Sequence, residues 1–525
     1  MSTSKIEPYK VVLTIVGLGL ILVGIILFFI PPAVFPVPGQ GFQVLRSMQM
    51  GSGFNNFVSP DQSDISQNYT EFLTWWSPGQ YLVPYCFMLI AKIDTGQAIA
   101  VTVTICEILG LAGFYAFFKK AGFTPWVITI SLLFIICQQA FVVPYVYYNG
   151  GELLLFAFEG WFLYGCLSFN KPGFKLILFV LFAGWIGFFL KSSFLWIYAA
   201  GLCCLWIRLS STRSGIADWV KKAVWIAIPA AASLAVIYIF YISKGQSPAS
   251  TANGFKLTAQ TFSFPIASPI LSGFSIDDLF HTFVYHTWKP VFNSDTGILI
   301  LILIAMLSII LLLNIIRYMP NNHYRLLLVV FYIAAILFFG FSYLLQLNIS
   351  YESRHFRIIG LLIVPGVIYL VGKFRPLGKF LFALVFAGIA YTSFAYLVKG
   401  FRINSINPRG ATGVAQPNID QQSLNQIMKL DRENRNATFV FVSNDMGLEI
   451  FHNRIITLRP IEDDLKIDVD DYRYEGFAGP LYIVLPESYN GPKEKMIMKS
   501  FPGYAGWNLS MLSNNYVLYA AKMRR

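Results

Sequence analysis

The chain has 525 residues, of which 56% are hydrophobic, 17% aromatic and only 13% charged. Soluble domains carry roughly 25% charged residues, so this composition excludes an ordinary soluble globule and specifies a polytopic membrane protein. The net charge of +12 fits loop cations that orient helices and meet anionic lipid, and not a nucleic-acid partner.

A bilayer crossing needs about 20 apolar residues. Eleven runs read as plausible spans, at about 10–30, 97–118, 125–146, 152–169, 174–190, 193–207, 223–243, 298–316, 325–347, 358–372 and 380–398. A further apolar segment at 79–93 is short and contains Pro84. It reads as an interfacial or half-inserted helix, because free backbone groups at a proline need protein cover in lipid. The first run has no small-residue cleavage site after it and reads as an uncleaved anchor. The six cysteines all fall in or beside apolar runs and show no metal-ligand spacing. We therefore expect neither a disulfide framework nor a metal, and no cofactor.

Charge sets an orientation. With the N-terminus cytoplasmic, Lys119, Lys120, Lys171, Lys175, Arg208, Arg213, Lys221, Lys222, Arg317, Arg325, Lys373, Arg375 and Lys379 all fall in inner loops, as short loops should under the positive-inside rule. The acids Asp61, Asp64, Glu71, Asp94, Glu152, Asp277, Asp278, Asp295 and Glu352 then fall outside, against Glu7 and Asp218 inside.

Four outer stretches carry groups suited to chemistry. The loop 31–96 holds Asp61, Asp64 and Glu71, which are general-base candidates, and the aromatic pair Trp75 and Trp76. Indole rings favour an interface with one apolar and one wet side. Asp61 and Asp64 also read as plain turn or capping acids. The second stretch is TyrTyrAsnGlyGlyGlu at 147–152, which puts Glu152 at the outer mouth of a span after two glycines. An ionisable group there is either functional or a dipole-favoured helix-start acid. The third is TyrGluSerArgHisPheArg at 351–357. Arg354 and Arg357 stand where a lipid phosphate would lie, and a guanidinium suits bidentate phosphate binding. Lys191 is a further cation at that depth. The fourth is the outer loop 244–297 with His281 and His286, whose spacing of five does not suit a helical metal pair and suits an acceptor-shaping loop. Acids, cations and aromatics above an apolar bundle describe a site for an amphipathic lipid phosphate.

From about 400 the composition turns polar. Residues 400–436 read as a linker with a polar helix, and 437–525 as a small α/β domain with strands at 438–442, 454–458, 481–485 and 516–521 and a short helix at 447–452. An odd number of crossings places it outside.

The order of these features resembles the GT-C superfamily of membrane glycosyltransferases. The resemblance rests on TrpSerProGlyGlnTyr at 76–81, Lys119–Lys120, TyrAsnGlyGlyGlu at 148–152, GluSerArgHis at 352–355 and the C-terminal 438–525. It implies a polytopic α-helical membrane protein of about 11 transmembrane helices. Residues 1–399 would form the GT-C-like domain, and the C-terminal α/β domain would be periplasmic. It implies transfer of a sugar from a polyprenyl-phosphate donor to an acceptor at the non-cytoplasmic face of a bacterial inner membrane. Asp61, Asp64 or Glu152 would be the base. Arg354, Lys191 and Arg357 would hold the donor phosphate, and Glu71, Trp75, Trp76, His281 and His286 would meet the acceptor or sugar. The family's usual acid position is Gln40 here, and an amide cannot be a base, so one of the other acids takes the role or transfer has been lost. The rival reading is a transporter or lipid-handling scaffold, including an inactive relative. Paired broken helices in two sequence halves would mark a transporter, and one Pro-containing segment without a partner does not supply them.

Overall fold

The computed structural model describes residues 7–74, 76–210, 215–245, 252–276, 293–443, 445–458, 478–489 and 491–523. Trp75, His281 and His286 lie outside these residues.

The chain enters with α1 (Pro8–Phe29), followed by a two-residue strand β1 (Ala33–Val34) and the amphipathic α2 (Pro36–Gln49). A hairpin of β2 (Asn56–Pro60) and β3 (Asn68–Phe72) leads to α3 (Gly79–Ala91). α3 has 13 residues with Pro84 inside it, short as its sequence implied. The bundle continues with α4 (Thr95–Lys120), α5 (Pro125–Ile136), α6 (Gln139–Val146), β4 (Tyr147–Tyr148), α7 (Gly151–Ser168), α8 (Phe174–Leu190), α9 (Phe194–Leu209) and α10 (Ile216–Phe240). It closes with α11 (Ala259–Gly273), α12 (Ser294–Tyr318), α13 (Asn322–Leu344), α14 (Arg357–Gly372) and α15 (Pro376–Ile406).

Seven described helices are long and apolar enough to cross a membrane, or eight with α5 and α6 taken as one span bent by 47°. Their lipid-side character is visible in the exposed side chains: Leu22 on α1, Ile228 on α10, Leu313 on α12 and Leu384 on α15 are each more than half exposed. So much exposed apolar surface suits only an apolar solvent. α7, α8 and α9 pack in the same bundle but do not meet that length-and-composition test, so the expected eleven crossings are not reached by it. Part of the expected outer loop 244–297 is a helix instead. α11 has Thr258 and Thr261 paired as a capping box and buries Phe264, Ala267 and Leu271 against α12, α13 and α14. Pro265 and Pro269 inside it hide the helix from a periodicity reading.

The tightest helix pair is α4 with α7. A Cβ at Gly160 would lie 2.4 Å from the Phe114 nitrogen, so only glycine lets these backbones meet, the small-residue contact of membrane bundles. This contact carries Glu107 on α4 and Glu159 on α7 into the same interior.

α15 runs on to Ile406 and absorbs the start of the expected linker. After α16 (Gln421–Glu433) come β5 (Thr438–Phe441), β6 (Arg454–Thr457), β7 (Leu481–Pro486), α17 (Pro492–Lys499), β8 (Tyr504–Met511) and β9 (Tyr516–Met523). The sheet order is β6-β5-β7-β9-β8. β5 pairs parallel with β6 and β7, while β9 pairs antiparallel with β7 and β8. The expected helix at 447–452 is a single 3-10 turn, Met446–Glu449. The sheet packs one face against α16 residues Leu424 and Ile427 and takes Ile65 of the β2–β3 hairpin into its other core.

Candidate active site

Three helix ends converge at the end of the bundle that carries α2 and the sheet domain. Glu152 lies in the first turn of α7, where the helix dipole favours a carboxylate. Lys191 ends α8, where the dipole favours a cation. Arg354 lies in a 3-10 turn, Ser353–Phe356, that opens α14. Lys191 Nζ donates to Glu152 Oε1 at 2.7 Å, and Arg354 Nη1 lies 3.6 Å from the same oxygen. The Arg354 Nε also meets Glu352. Arg354 is 46% exposed while Lys191 is 17% exposed, so one cation faces outward and the other sits at the base of the cluster.

The glycines before Glu152 serve packing. Gly150 has φ +58, and a Cβ there would lie 2.9 Å from Gln80 Oε1 and 3.1 Å from Pro38. Tyr148 donates to the Gln80 carbonyl at 2.6 Å, and Ala33 and Val34 pair with Tyr147 and Tyr148. Gly150 thus lets the start of α7 approach α2 and α3, while Gly151 sets it against the end of α8, where a Cβ would meet Lys191 and Leu190 at 3.2 and 3.3 Å. Gly150→Ala is expected to destabilise the protein by about 1–3 kcal/mol, the range for a non-glycine forced into sparsely populated backbone space. Thermal unfolding of the purified variant checks this, and its loss should exceed that of Gly19→Ala, where a Cβ meets nothing.

The other expected residues are distributed as follows. Arg357 lines a small cavity with Glu107, Gln138, Asn149 and Glu152 beneath the cluster. Asp61 and Asp64 lie in the turn of the β2–β3 hairpin. Asp61 Oδ1 accepts from the Ser63 backbone and hydroxyl at 2.7 and 2.5 Å, and Asp64 Oδ1 accepts from Ser66 in the same way at 3.0 and 2.6 Å. These donors hold both carboxyls below the usual range. Arg454 binds the Ile65 carbonyl between them, so the turn is seated on the sheet domain. Glu71 is half-buried on β3, paired with Phe57. Trp76 is half-buried against the bundle, and its carbonyl accepts from Tyr241 at 2.6 Å. The structure therefore brings together Glu152, Lys191, Arg354 and Arg357, and sets Asp61 and Asp64 in a separate turn. Among the described residues no group of three or more His, Cys, Asp or Glu is placed to hold a metal ion.

The sequence shows Arg46 in the loop with Asp61, Asp64 and Glu71 but assigns it no role. Its guanidinium donates to the Ile450 and Asn453 carbonyls of the sheet domain. Burial pushes it down to about 10, against the Asp431 charge, so it stays protonated near neutrality. On the other side of that loop, Asp431 accepts from Phe451 N, His452 N and Asn453 Nδ2 at 2.9, 3.1 and 2.8 Å. An apolar cleft of about 830 Å³ opens on the side of the bundle, lined by Ile270, Phe274, Leu307, Ile310, Phe374 and Ile389 among others, of which Leu307, Ile310 and Phe374 are at least half exposed. α11 supplies Ile270 to this cleft and also meets the Arg354 turn, where Ser272 donates to the Phe356 carbonyl at 3.2 Å, while on α14 the cleft is lined by Leu370, near the other end of that helix.

No protein-family model matches the chain, and no curated protein matches it. Solved structures do. ArnT from Cupriavidus metallidurans bound to undecaprenyl phosphate aligns with a TM-score of 0.53 at 12% identity, over 97% of this chain and 97% of that one. Its apo form gives 0.52 at 12% identity, over 96% and 97%. The mycobacterial arabinofuranosyltransferase AftD gives 0.50 at 10% identity, over 96% of this chain and 40% of AftD, so the chain spans about two fifths of AftD's length. At such identity the likeness is one of fold: the chain has a GT-C-like fold, as its sequence resemblance implied.

Proposed function

We propose that the chain is an integral membrane glycosyltransferase that moves a sugar from a polyprenyl-phosphate donor to an acceptor at the non-cytoplasmic face of a bacterial inner membrane. In this reading α7, α8 and α9 also cross, giving eleven crossings, a cytoplasmic N-terminus and a periplasmic sheet domain. The observation that carries the proposal is the meeting of Lys191 and Arg354 on Glu152 at the mouth of an apolar bundle. Two cations at an interface suit a lipid phosphate, and they neutralise the charge that develops as the sugar leaves it. The apolar cleft on the side of the bundle, which shares α11 with the Arg354 turn, offers room for an isoprenoid chain.

We take Glu152 as the base in preference to Asp61 and Asp64, whose Oδ1 atoms accept from their own turns and which lie apart from the cations. A donor phosphate that draws Lys191 and Arg354 to itself frees Glu152 Oε1 to take the acceptor's proton. Arg357 sits behind this cluster, and Glu71 and Trp76 remain acceptor-side candidates. The test uses purified full-length protein, a panel of undecaprenyl-phosphate-linked labelled hexoses and pentoses, and envelope glycolipid extracts as acceptors. Glu152→Gln is expected to lower turnover about 10²–10⁴-fold, the usual share of general-base catalysis, while Asp61→Asn and Asp64→Asn stay near wild type. Full activity in Glu152→Gln, or no transfer by the wild type from any donor, overturns the reading.

A further inference from the structure

Beneath the Glu152 cluster the bundle interior holds polar groups without partners among the described residues. Glu107 and Glu159 are each 2% exposed. Glu107 Oε2, Glu159 Oε2, Asn149 Oδ1 and the Tyr145 hydroxyl have no hydrogen-bond partner among those residues. Buried polar atoms are rarely left so, and each such atom calls for an explanation. Glu107, Asn149, Glu152 and Arg357 line one cavity of about 20 Å³. A site needs roughly 10–15 Å³ and two to four polar partners to hold a water. This cavity meets both conditions, and it joins the cation-bound carboxylate at the mouth to a buried carboxylate on α4.

We propose that Glu107 holds the proton that the acceptor hydroxyl loses, received from Glu152 through one water in this cavity. The proposal rests on the transferase reading above. In the reaction the acceptor O–H bond breaks and its oxygen bonds the sugar's anomeric carbon. The bond from that carbon to the phosphate oxygen breaks, and the phosphate keeps the electron pair. The proton passes to Glu152, across the water to Glu107, and returns by the same route to the medium after the products leave. The onward step has a physical reason. A proton resting on Glu152 would leave Lys191 and Arg354 without their counter-ion once the phosphate departs. Handing it inward restores the charged carboxylate that sets both cations for the next donor. Among the described residues, the charged and titratable groups facing Glu107 are Cys106 on α4, Tyr145 on α6, Glu152 on α7 and Arg357 on α14, whose charge also acts on Glu159.

The test is kinetic, on full-length protein with the donor the wild type turns over. Glu107→Gln is expected to lower kcat about 10²-fold, the lower end of what proton transfer contributes, with the donor KM within twofold because the phosphate site is untouched. In mixtures of light and heavy water the wild-type rate should curve with deuterium fraction, reporting more than one proton in flight, and the Glu107→Gln rate should be linear. A merely structural role for Glu107 would leave the curvature in place. If Glu107→Gln does not fold, Glu107→Asp is read in the same way, with reduced kcat and altered curvature expected. Wild-type kcat and curvature in the folded variant overturn the proposal and leave the transferase reading intact. A wild type that transfers nothing overturns both.

Discussion

Lys191→Ala and Arg354→Ala are each expected to lower transfer about 10²–10³-fold, the loss seen when one preorganised donor to a developing oxyanion is removed. A hundredfold loss corresponds to about 2.7 kcal/mol of transition-state stabilisation. The effect on stability should be far smaller for Arg354. That side chain is 46% exposed and 3.6 Å from Glu152, and solvent screening leaves exposed ion pairs worth about 0–1 kcal/mol. A large kinetic loss beside a small shift in unfolding temperature is thus the signature of phosphate binding. Lys191 differs, because it is the less exposed partner and contacts Glu152 at 2.7 Å, so Lys191→Ala should cost some stability as well. Arg354→Lys should recover only part of the activity, since an ammonium keeps the charge but loses the planar fork. Equal kinetic and thermal effects across all three variants would indicate a structural ion pair.

The second large effect concerns the sheet domain. Asp431→Ala is expected to destabilise it by about 3–5 kcal/mol, the cost of removing one member of a buried, hydrogen-bonded charge network. The carboxylate is 2% exposed, and its loss strands Phe451 N and His452 N, while the Asn453 amide keeps the Asp431 and Asn434 carbonyls. Arg46→Ala should release the same loop from its other side, seen as faster amide exchange across 450–457 with the sheet otherwise intact. A pH dependence follows. Burial alone would raise the Asp431 carboxyl, but its donors from Asn453, Phe451 and His452 outweigh that and hold it below its ordinary value. Its contribution is therefore complete above the unfolded carboxylate value of about 3.9 and is lost as pH falls through the lower folded value. Wild type should lose stability on acidification below about pH 4, and Asp431→Ala should show a flatter acid limb. Parallel acid limbs would remove Asp431 from this role.

Apolar runs and Pro84 were enough to outline most of the bundle, because helices in lipid must satisfy their backbone internally and so declare themselves by length and composition. The buried strands β5, β6, β7 and β9 were legible for a similar reason: each is a short apolar run. β8 was not, because it is an edge strand whose Trp507, Leu509 and Met511 alternate with Gly506, Asn508 and Ser510 on a largely exposed face. α11 was hidden by its two prolines. Candidate site residues were recognisable one by one, since a charge at a span's mouth is unusual wherever it occurs. Their grouping was not, because Glu152 and Lys191 are 39 residues apart and meet only through helix packing. The same distance problem hid Arg46, whose carbonyl partners lie more than 400 residues away. Asp61 and Asp64 carried a local signal in the sequence itself, since each is followed two residues later by a serine, the spacing of an Asx turn.

In the proposed reaction Lys191 and Arg354 hold a lipid phosphate at the mouth of the bundle. Native mass spectrometry of full-length protein incubated with undecaprenyl phosphate, with uncharged undecaprenol as the control lipid, tests it most directly. Wild type is expected to retain the phosphate lipid over the alcohol, and Lys191→Ala/Arg354→Ala to lose that preference at least about tenfold, because charge-assisted bonds to phosphate are removed. A double variant that keeps the wild-type preference would contradict it.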